Sequence, residues 1–351
     1  MAELYGQRIQ TTVQTSYIPF VVDTVLNSNV YFQRTVRASK KWSGRTKRVP
    51  VKVSKNTTGQ SFRGYDTLST AATDNRQFME FTPAFYQITV SLPGDELSVA
   101  DTEDKVLDLM KLTIQSDTED MADDLGTLIY ADGTGNSSKD PLGLAAVVDD
   151  GTTVATIGGL SRSTYTTLQS TVTASSGTLT LAKMDTLWNA VSSGSHKPTI
   201  ALATEAIFAF FGQLLRPQER ITKPIGQTKS MGAGEGFANG TTGGMTGLSF
   251  NDVAVVGDEK CTSGALIFLN EDYVDFHALP FNLGGVAAKP VQYKSQIKGN
   301  DYDAPMGLGF SWSDWIVPAN QGAVVGHIYW GGQLITTNPK RHGKLTGITG
   351  I

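Results

Sequence analysis

The chain has 351 residues and 37.6 kDa, with 29 basic against 33 acidic side chains and a net charge of −4. Hydrophobic residues make up 40% and charged residues 18%, which excludes a disordered chain, and the length suggests two compact units. No apolar run approaches the ~18 residues of a membrane span, the N-terminus lacks the basic-then-apolar layout of a secretion signal, and the single cysteine, Cys261, excludes a disulfide framework or Cys-based metal cluster and points to assembly in a reducing cell.

Glycine (37) and threonine (41) are both abundant; threonine favours strands and turns, and glycine punctuates them. An α+β protein rich in strand and loop, with a few well-marked helices, is expected. Residues 1–30 show no clean period and read as an arm that packs on another surface, with Tyr17 to Val22 as a short apolar stretch broken by Pro19.

A basic stretch follows. Nine cations and no acid lie between positions 34 and 55: Arg34, Arg37, Lys40, Lys41, Arg45, Lys47, Arg48, Lys52 and Lys55. Within it Arg48 to Val53 alternates polar and apolar residues, as a half-exposed strand does. Phe78 to Leu92 alternates as well, through Phe81, Phe85, Ile88, Val90 and Leu92. The polar, Gly- and Thr-rich segment 56–77 separates the two. A long antiparallel hairpin with a polar tip is predicted over 46–94. Such a ribbon is marginal alone in water and needs a partner surface.

The clearest helix is predicted at about 101–131. Leu107, Met110, Ile114, Met121, Leu125 and Leu128 form one apolar stripe at spacings of 3, 4, 7, 4 and 3, Asp101 or Thr102 caps it, and Ala131-Asp132-Gly133 ends it. Its rod, ~45 Å long at ~1.5 Å per residue, is strongly acidic: eleven acids against Lys105 and Lys111 between positions 95 and 124. Residues 151–180 are crowded with Thr and Ser. A helix is expected at 181–193, a buried strand at 199–203, and a Thr204-capped helix bearing Ile207, Phe208, Phe211 and Leu215, together a compact α/β unit. Gly226 to Gly247 holds eight glycines in 22 residues and reads as a mobile loop. Strands then dominate, at 253–256, 265–269, 273–279 and 324–335.

Enzyme signatures are sparse. The chain has no Gly-x-x-x-x-Gly-Lys-Ser/Thr loop, no His-Glu-x-x-His and no Gly-x-Ser-x-Gly, the patterns that cradle phosphate, hold zinc or expose a nucleophile. Gly133-x-Gly135 follows a helix and lacks a third glycine, so it reads as a helix-ending turn. None of the four histidines, His196, His277, His327 and His342, stands at metal-ligand spacing from another. A Cys261–His277 pair is outweighed by an inert, partly buried thiol. Asp120, Asp123 and Asp124 offer oxygen ligands for a divalent ion, but without a ligand loop a solvated or partner-facing surface is the stronger reading. No catalytic residue, cofactor or metal is therefore assigned. The basic stretch suits phosphate, yet the chain carries no recognition helix. Neutralisation of the −9 rod by the +9 stretch, within a chain or between copies, is the sharper alternative.

The order of these parts resembles the major capsid protein of tailed double-stranded DNA bacteriophages, whose fold herpesvirus shells share. Val49-Pro50-Val51 leads into the hairpin and Tyr86-Gln87-Ile88-Thr89-Val90-Ser91, with Glu96-Leu97, leads out of it. Gly159-Leu160-Ser161-Arg162-Ser163-Thr164-Tyr165 is similar to the entry into the family's axial domain. Leu266-Ile267-Phe268-Leu269-Asn270 with Tyr273-Val274 resembles its returning strand, and the run from Gly332 to Gly343 its C-terminus. The resemblance covers nearly the whole chain and rests on order and spacing. It implies an N-terminal arm (1–45), an extended hairpin loop (46–94), a peripheral domain with a spine helix (95–150), an axial domain (151–264) and returning strands of both domains (265–351).

It further implies a non-enzymatic subunit of an icosahedral head, built as pentamers and hexamers in the host cytoplasm around phage DNA. A separate scaffolding protein, a portal and a decoration protein are its implied partners. The resemblance also allows non-specific contact with packaged DNA through the basic stretch, as an alternative to contact with a neighbouring subunit, and implies no membrane. Intersubunit contact is expected through the nine cations, Phe62 and Tyr65 of the hairpin, and Asp117, Glu119, Asp120, Asp123 and Asp124 of the helix. No crosslinking constellation accompanies Lys52 or Lys55. The rivals are a tail-tube or head-decoration subunit, and a hydrolase or binding protein using scattered residues such as His277 and Asp275.

Overall fold

A computed structural model describes residues 29–71, 73–99, 103–215, 248–281, 288–290, 293–294, 303–304, 307–313 and 315–350. The elements that position the surfaces below begin with α1 (Val30–Arg37), β1 (Lys40–Lys41), β2 (Lys47–Lys52), β3 (Arg76–Phe81), β4 (Ala84–Pro93) and α2 (Glu103–Leu128). Next come β5 (Thr171–Thr173), α3 (Leu181–Val191), β6 (Ile200–Ala203), α4 (Glu205–Leu215), β7 (Ser249–Phe250), β8 (Val253–Gly257) and β9 (Leu266–Leu269). Last are β10 (Val274–Ala278), β11 (Ala288–Pro290), β12 (Phe310–Ser313), β13 (Ala323–Thr336) and β14 (Gly343–Leu345).

Two mixed sheets organise the chain. The first runs β1-β10-β13-β12-β11, with β4 also on β13; the second runs β7-β8-β6-β9-β14-β5. The 14-residue β13 holds the first sheet together by changing partners along its length. It pairs with β4 from Ala323↔Pro93 to Gly332↔Ala84, then with β10 from Gly332↔Ala278 to Thr336↔Val274.

The long helix forms where its stripe predicts, from Glu103 to Leu128. Met110, Ile114, Met121 and Leu125 are buried, joined by Val106, while Leu107 is only half-buried. The seven-residue gap in the stripe is filled by fully buried Thr118, whose hydroxyl donates to the Ile114 carbonyl within the helix, so a polar side chain crosses the core without an unmet group. The helix packs on the first sheet with Tyr31, Phe32 and Val36 of α1, Phe276, Ile328 and Trp330. Residues 1–28 of the expected arm lie outside the described residues; Val30 to Arg37 fold as a helix whose buried side chains join this core.

The α/β unit is built as expected. Thr180 caps α3 by accepting the Lys183 N–H at 3.4 Å, and Thr204 caps α4 by accepting that of Ile207 at 3.4 Å. Between them β6 is buried on both faces: Ile200 and Leu202 enter the first core, Ala201 and Ala203 the second, beneath Trp188, Ile207 and Phe211. The glycine-rich stretch from Gly226 to Gly247 lies outside the described residues.

The hairpin departs from its expected form. Phe78 to Leu92 is two strands rather than one, divided at Thr82-Pro83: β3 pairs with β2, from Lys47↔Phe81 to Lys52↔Arg76, while β4 joins β13. Proline has no N–H for a ladder, and the inward parity changes across it, from Met79 and Phe81 to Ala84, Val90 and Leu92. Phe85, expected on the apolar side, is instead 43% exposed.

Candidate assembly surfaces

The hairpin is anchored at its base and bare at its tip. Val51, Met79 and Phe81 are buried with Trp42, Ile157, Leu168 and Ile335. The Glu80 N–H donates to the Gly158 carbonyl at 2.9 Å, and the Thr167 hydroxyl to the Val53 carbonyl at 3.3 Å. Gly158 has φ +54°, and a Cβ there would stand 2.5 Å from the Cβ of Met79. Only glycine permits both the turn and the approach.

Beyond Val53 the described segment is held by its own polar groups. Asn56 Oδ1 accepts from the Thr58 N–H (2.9 Å), the Thr58 hydroxyl (2.7 Å) and the Thr73 hydroxyl (3.3 Å). Asp66 accepts the Arg63 N–H at 2.8 Å, and the Gln60 amide donates to the Thr67 carbonyl at 2.9 Å. These bonds shape the tip without covering it. Phe62 is 65% exposed, Leu68 52%, and Tyr65 wholly exposed.

The structure divides the nine cations. Arg34 makes a forked pair with Glu271, one arm at 2.7 Å; Lys40 pairs with Asp275 at 2.7 Å and Arg48 with Glu80 at 2.6 Å. Lys41, Arg45, Lys52 and Lys55 are exposed and Lys47 is half-exposed, with no ion pair to another described residue. Arg37 closes α1. Within this chain the described ion pairs of the basic stretch therefore go to β3, β10 and the turn before β10, and the long helix draws its cation from elsewhere. Its Asp123 pairs with Lys260, and Asp124 accepts the Tyr86 hydroxyl. Burial first, then Asp124, raises the Tyr86 phenol above its usual range. Glu119 and Asp120 are exposed. Asp117 is half-buried and its carboxyl is raised, by burial and then by Asp120. Lys260, Glu271 and Glu80 were not among the expected contacts; no local pattern marks them, because their partners stand 137, 237 and 32 positions away.

The scattered polar residues are engaged within the chain. Asp275 holds Lys40, and His277 Nδ1 lies 3.5 Å from the Lys41 carbonyl oxygen, its ring edge-on to Trp42 and its basicity lowered by burial. Cys261 is buried and its thiol is pushed up to about 12 by burial, then by Asp258. Asp258 accepts from the Tyr130 hydroxyl (2.8 Å), the Tyr31 N–H (3.4 Å) and the Lys260 N–H (3.0 Å), tying α1 and the end of α2 to the turn after β8. Among the described residues no group of three or more His, Cys, Asp or Glu is placed to hold a metal ion, and no helix is long and apolar enough to cross a membrane.

No family model and no curated protein matches the chain by sequence. Solved structures match it over nearly its whole length. The capsid of cyanophage A-1(L) superposes with a TM-score of 0.63 at 13% identity, covering 91% of this chain and 92% of that one. The capsid of a native GTA particle gives 0.54 at 10% identity, covering 92% and 91%. The holo-SrpI encapsulin of Synechococcus elongatus PCC 7942 gives 0.50 at 14% identity, covering 88% and 84%. The chain has the fold of tailed-phage capsid subunits, which that encapsulin shares.

Proposed function

We propose that the chain is the major capsid subunit of a double-stranded DNA phage, a structural, non-enzymatic protein that self-assembles into the head. The observation that carries this reading is the hairpin: a ribbon pinned to its own subunit at Val51, Met79 and Phe81, yet presenting Phe62, Tyr65 and Leu68 to solvent at its far end. A two-stranded ribbon with apolar side chains at its tip finds its remaining burial on another molecule, and in a shell of one repeated chain that molecule is the next copy.

Charge supplies register. Lys52 and Lys55 on the hairpin, with Lys41, Arg45 and Lys47 near its root, face the exposed carboxylates of a neighbouring α2, Glu119 and Asp120. Exposed pairs contribute about 0–1 kcal/mol each, so they steer the approach while the aromatic anchors supply affinity. Scaffolding, portal and decoration proteins complete assembly in the host cytoplasm, and any contact with packaged DNA is made without reading sequence.

Electron microscopy of the assembled protein is expected to show closed icosahedral particles; tubes, or a stable monomer carrying a small molecule in a closed pocket, would overturn the reading. The encapsulin likeness supports a second reading, a compartment filled with protein. The contents separate the two. Particles from the native source hold nuclease-protected double-stranded DNA if the first is right, and a protein cargo if the second is.

A further inference from the structure

Three segments cross between the two sheets: 148–170 leading into β5, Asn270–Tyr273 between β9 and β10, and 337–342 between β13 and β14. The cores on either side are apolar, but the seam is polar. His342 lies at its centre with no exposed surface. Its Nδ1 stands 3.3 Å from the backbone N–H of Asn270 in the second crossing, and its Nε2 3.5 Å from the hydroxyl of Thr336, where the third begins. Turning the ring over would set a carbon against the Asn270 N–H and leave a buried donor unmet. The ring therefore accepts at Nδ1, which requires the neutral tautomer with its proton on Nε2.

The other bonds of the seam converge on the same place. The His342 carbonyl accepts the Thr171 N–H at 3.2 Å, the Ser170 hydroxyl donates to the Pro339 carbonyl at 2.7 Å, and the Thr337 N–H donates to the Tyr273 carbonyl at 2.9 Å. The first crossing brings Arg162, fully buried, whose two terminal guanidinium nitrogens donate to the carbonyls of Ala146, Asp149 and Leu168 while its buried Nε has no hydrogen-bond partner among the described residues.

We propose that neutral His342 is a pin coupling the two sheets, and that its protonation opens the seam. A proton on Nδ1 would face the Asn270 N–H, donor against donor, and would place a cation in the field of Arg162. The surrounding charges do not relieve it. Asp149 receives the N–H groups of Gly151 and Val154, both at 2.9 Å, and Lys344 at 3.4 Å, while Glu271 of the second crossing is held by Arg34. Burial, then Arg162, pushes the imidazole down to about 3 from its ordinary 6.5. A folded-state value below the unfolded one gives closure that is complete above pH 6.5 and is lost as pH falls towards 3. The open population thus rises about tenfold per pH unit in that window.

Amide hydrogen exchange on the full chain tests this, with rates corrected for the intrinsic effect of pH. Protection at Thr171, Asn270 and Thr337 is expected to fall about tenfold per unit between about pH 6 and pH 4, while amides inside α2 hold theirs. In His342→Gln, whose amide also accepts and donates but does not titrate, protection at these sites is expected to be flat. Should that variant not fold, the ring nitrogen shifts of the unaltered chain decide, and a neutral Nε2–H ring at pH 5 is expected. A pH-independent seam in the unaltered chain, the same slope in His342→Gln, or a protonated ring in the folded chain at pH 5 would overturn the proposal.

Discussion

Replacing Phe62 and Tyr65 together by serine separates the needs of the shell from those of the subunit. Both side chains are mostly in water in the single chain, Phe62 65% and Tyr65 wholly exposed, so their loss leaves the subunit's own core untouched. Surface changes away from specific interactions stay within about ±0.5 kcal/mol, and the melting temperature of the unassembled chain is expected to hold. Docking onto a neighbour is another matter. Fully burying a large apolar side chain contributes about 1.5–3 kcal/mol; Phe62 has about two thirds of its surface still to bury and Tyr65 all of it. Their joint loss costs about 2.5–5 kcal/mol per contact, which is a drop of about 60- to 4,000-fold in pairwise affinity. Each subunit of a closed shell both gives and receives such a contact, so the effect compounds. Light scattering and sedimentation across a concentration series read it as a rise in the threshold for particle formation. An unchanged threshold, with the double variant folded, would refute the assignment of the tip as an intersubunit anchor.

The charge reversal Lys52→Glu with Lys55→Glu is expected to raise the same threshold modestly, by about tenfold or less, and 1 M salt, where the screening length is ~3 Å, is expected to narrow the gap to the unaltered protein. Lys47 and Arg48 are the less clean choice, because Arg48 already pairs with Glu80 inside the hairpin. Gly158→Ala places a methyl group against Met79 at a positive φ and is expected to cost about 2–4 kcal/mol; thermal unfolding measures the loss, and faster proteolysis within the hairpin shows where it falls. Tyr130→Phe removes one donor from the buried Asp258 carboxylate and is expected to cost about 1.5–3 kcal/mol of stability in a denaturant titration, whereas Asp258→Ala, which leaves three donors unmet, costs more.

Much of the architecture is legible along the chain because it depends on near neighbours. The apolar stripe of α2, the Thr204 cap and the alternation of β2 are each settled within a few residues, and the structure places all of them close to expectation. The helix from Val30 to Arg37 carries no clear signal in the sequence. At eight residues it is too short for periodicity to stand out, and its burial comes from a core assembled by α2 and β10. The division of the hairpin at Pro83 is similarly hidden. Both halves alternate, and only the identity of their partners, β2 for one and β13 for the other, shows that the inward face has changed.

The sequence by itself determined where α2, α3, α4 and several of the longer strands lie, that the tip of the hairpin is polar with a few large apolar side chains, and that opposite charges are gathered into a basic stretch and an acidic rod. The tertiary structure decided which of those charges are already matched at home, which face of each strand meets the core, and that His342 and Arg162 come to rest at one buried seam. The physical reason is range. Local geometry is set by backbone dihedrals and neighbouring side chains, whereas an ion pair across 237 positions exists only once two sheets have closed around a common core.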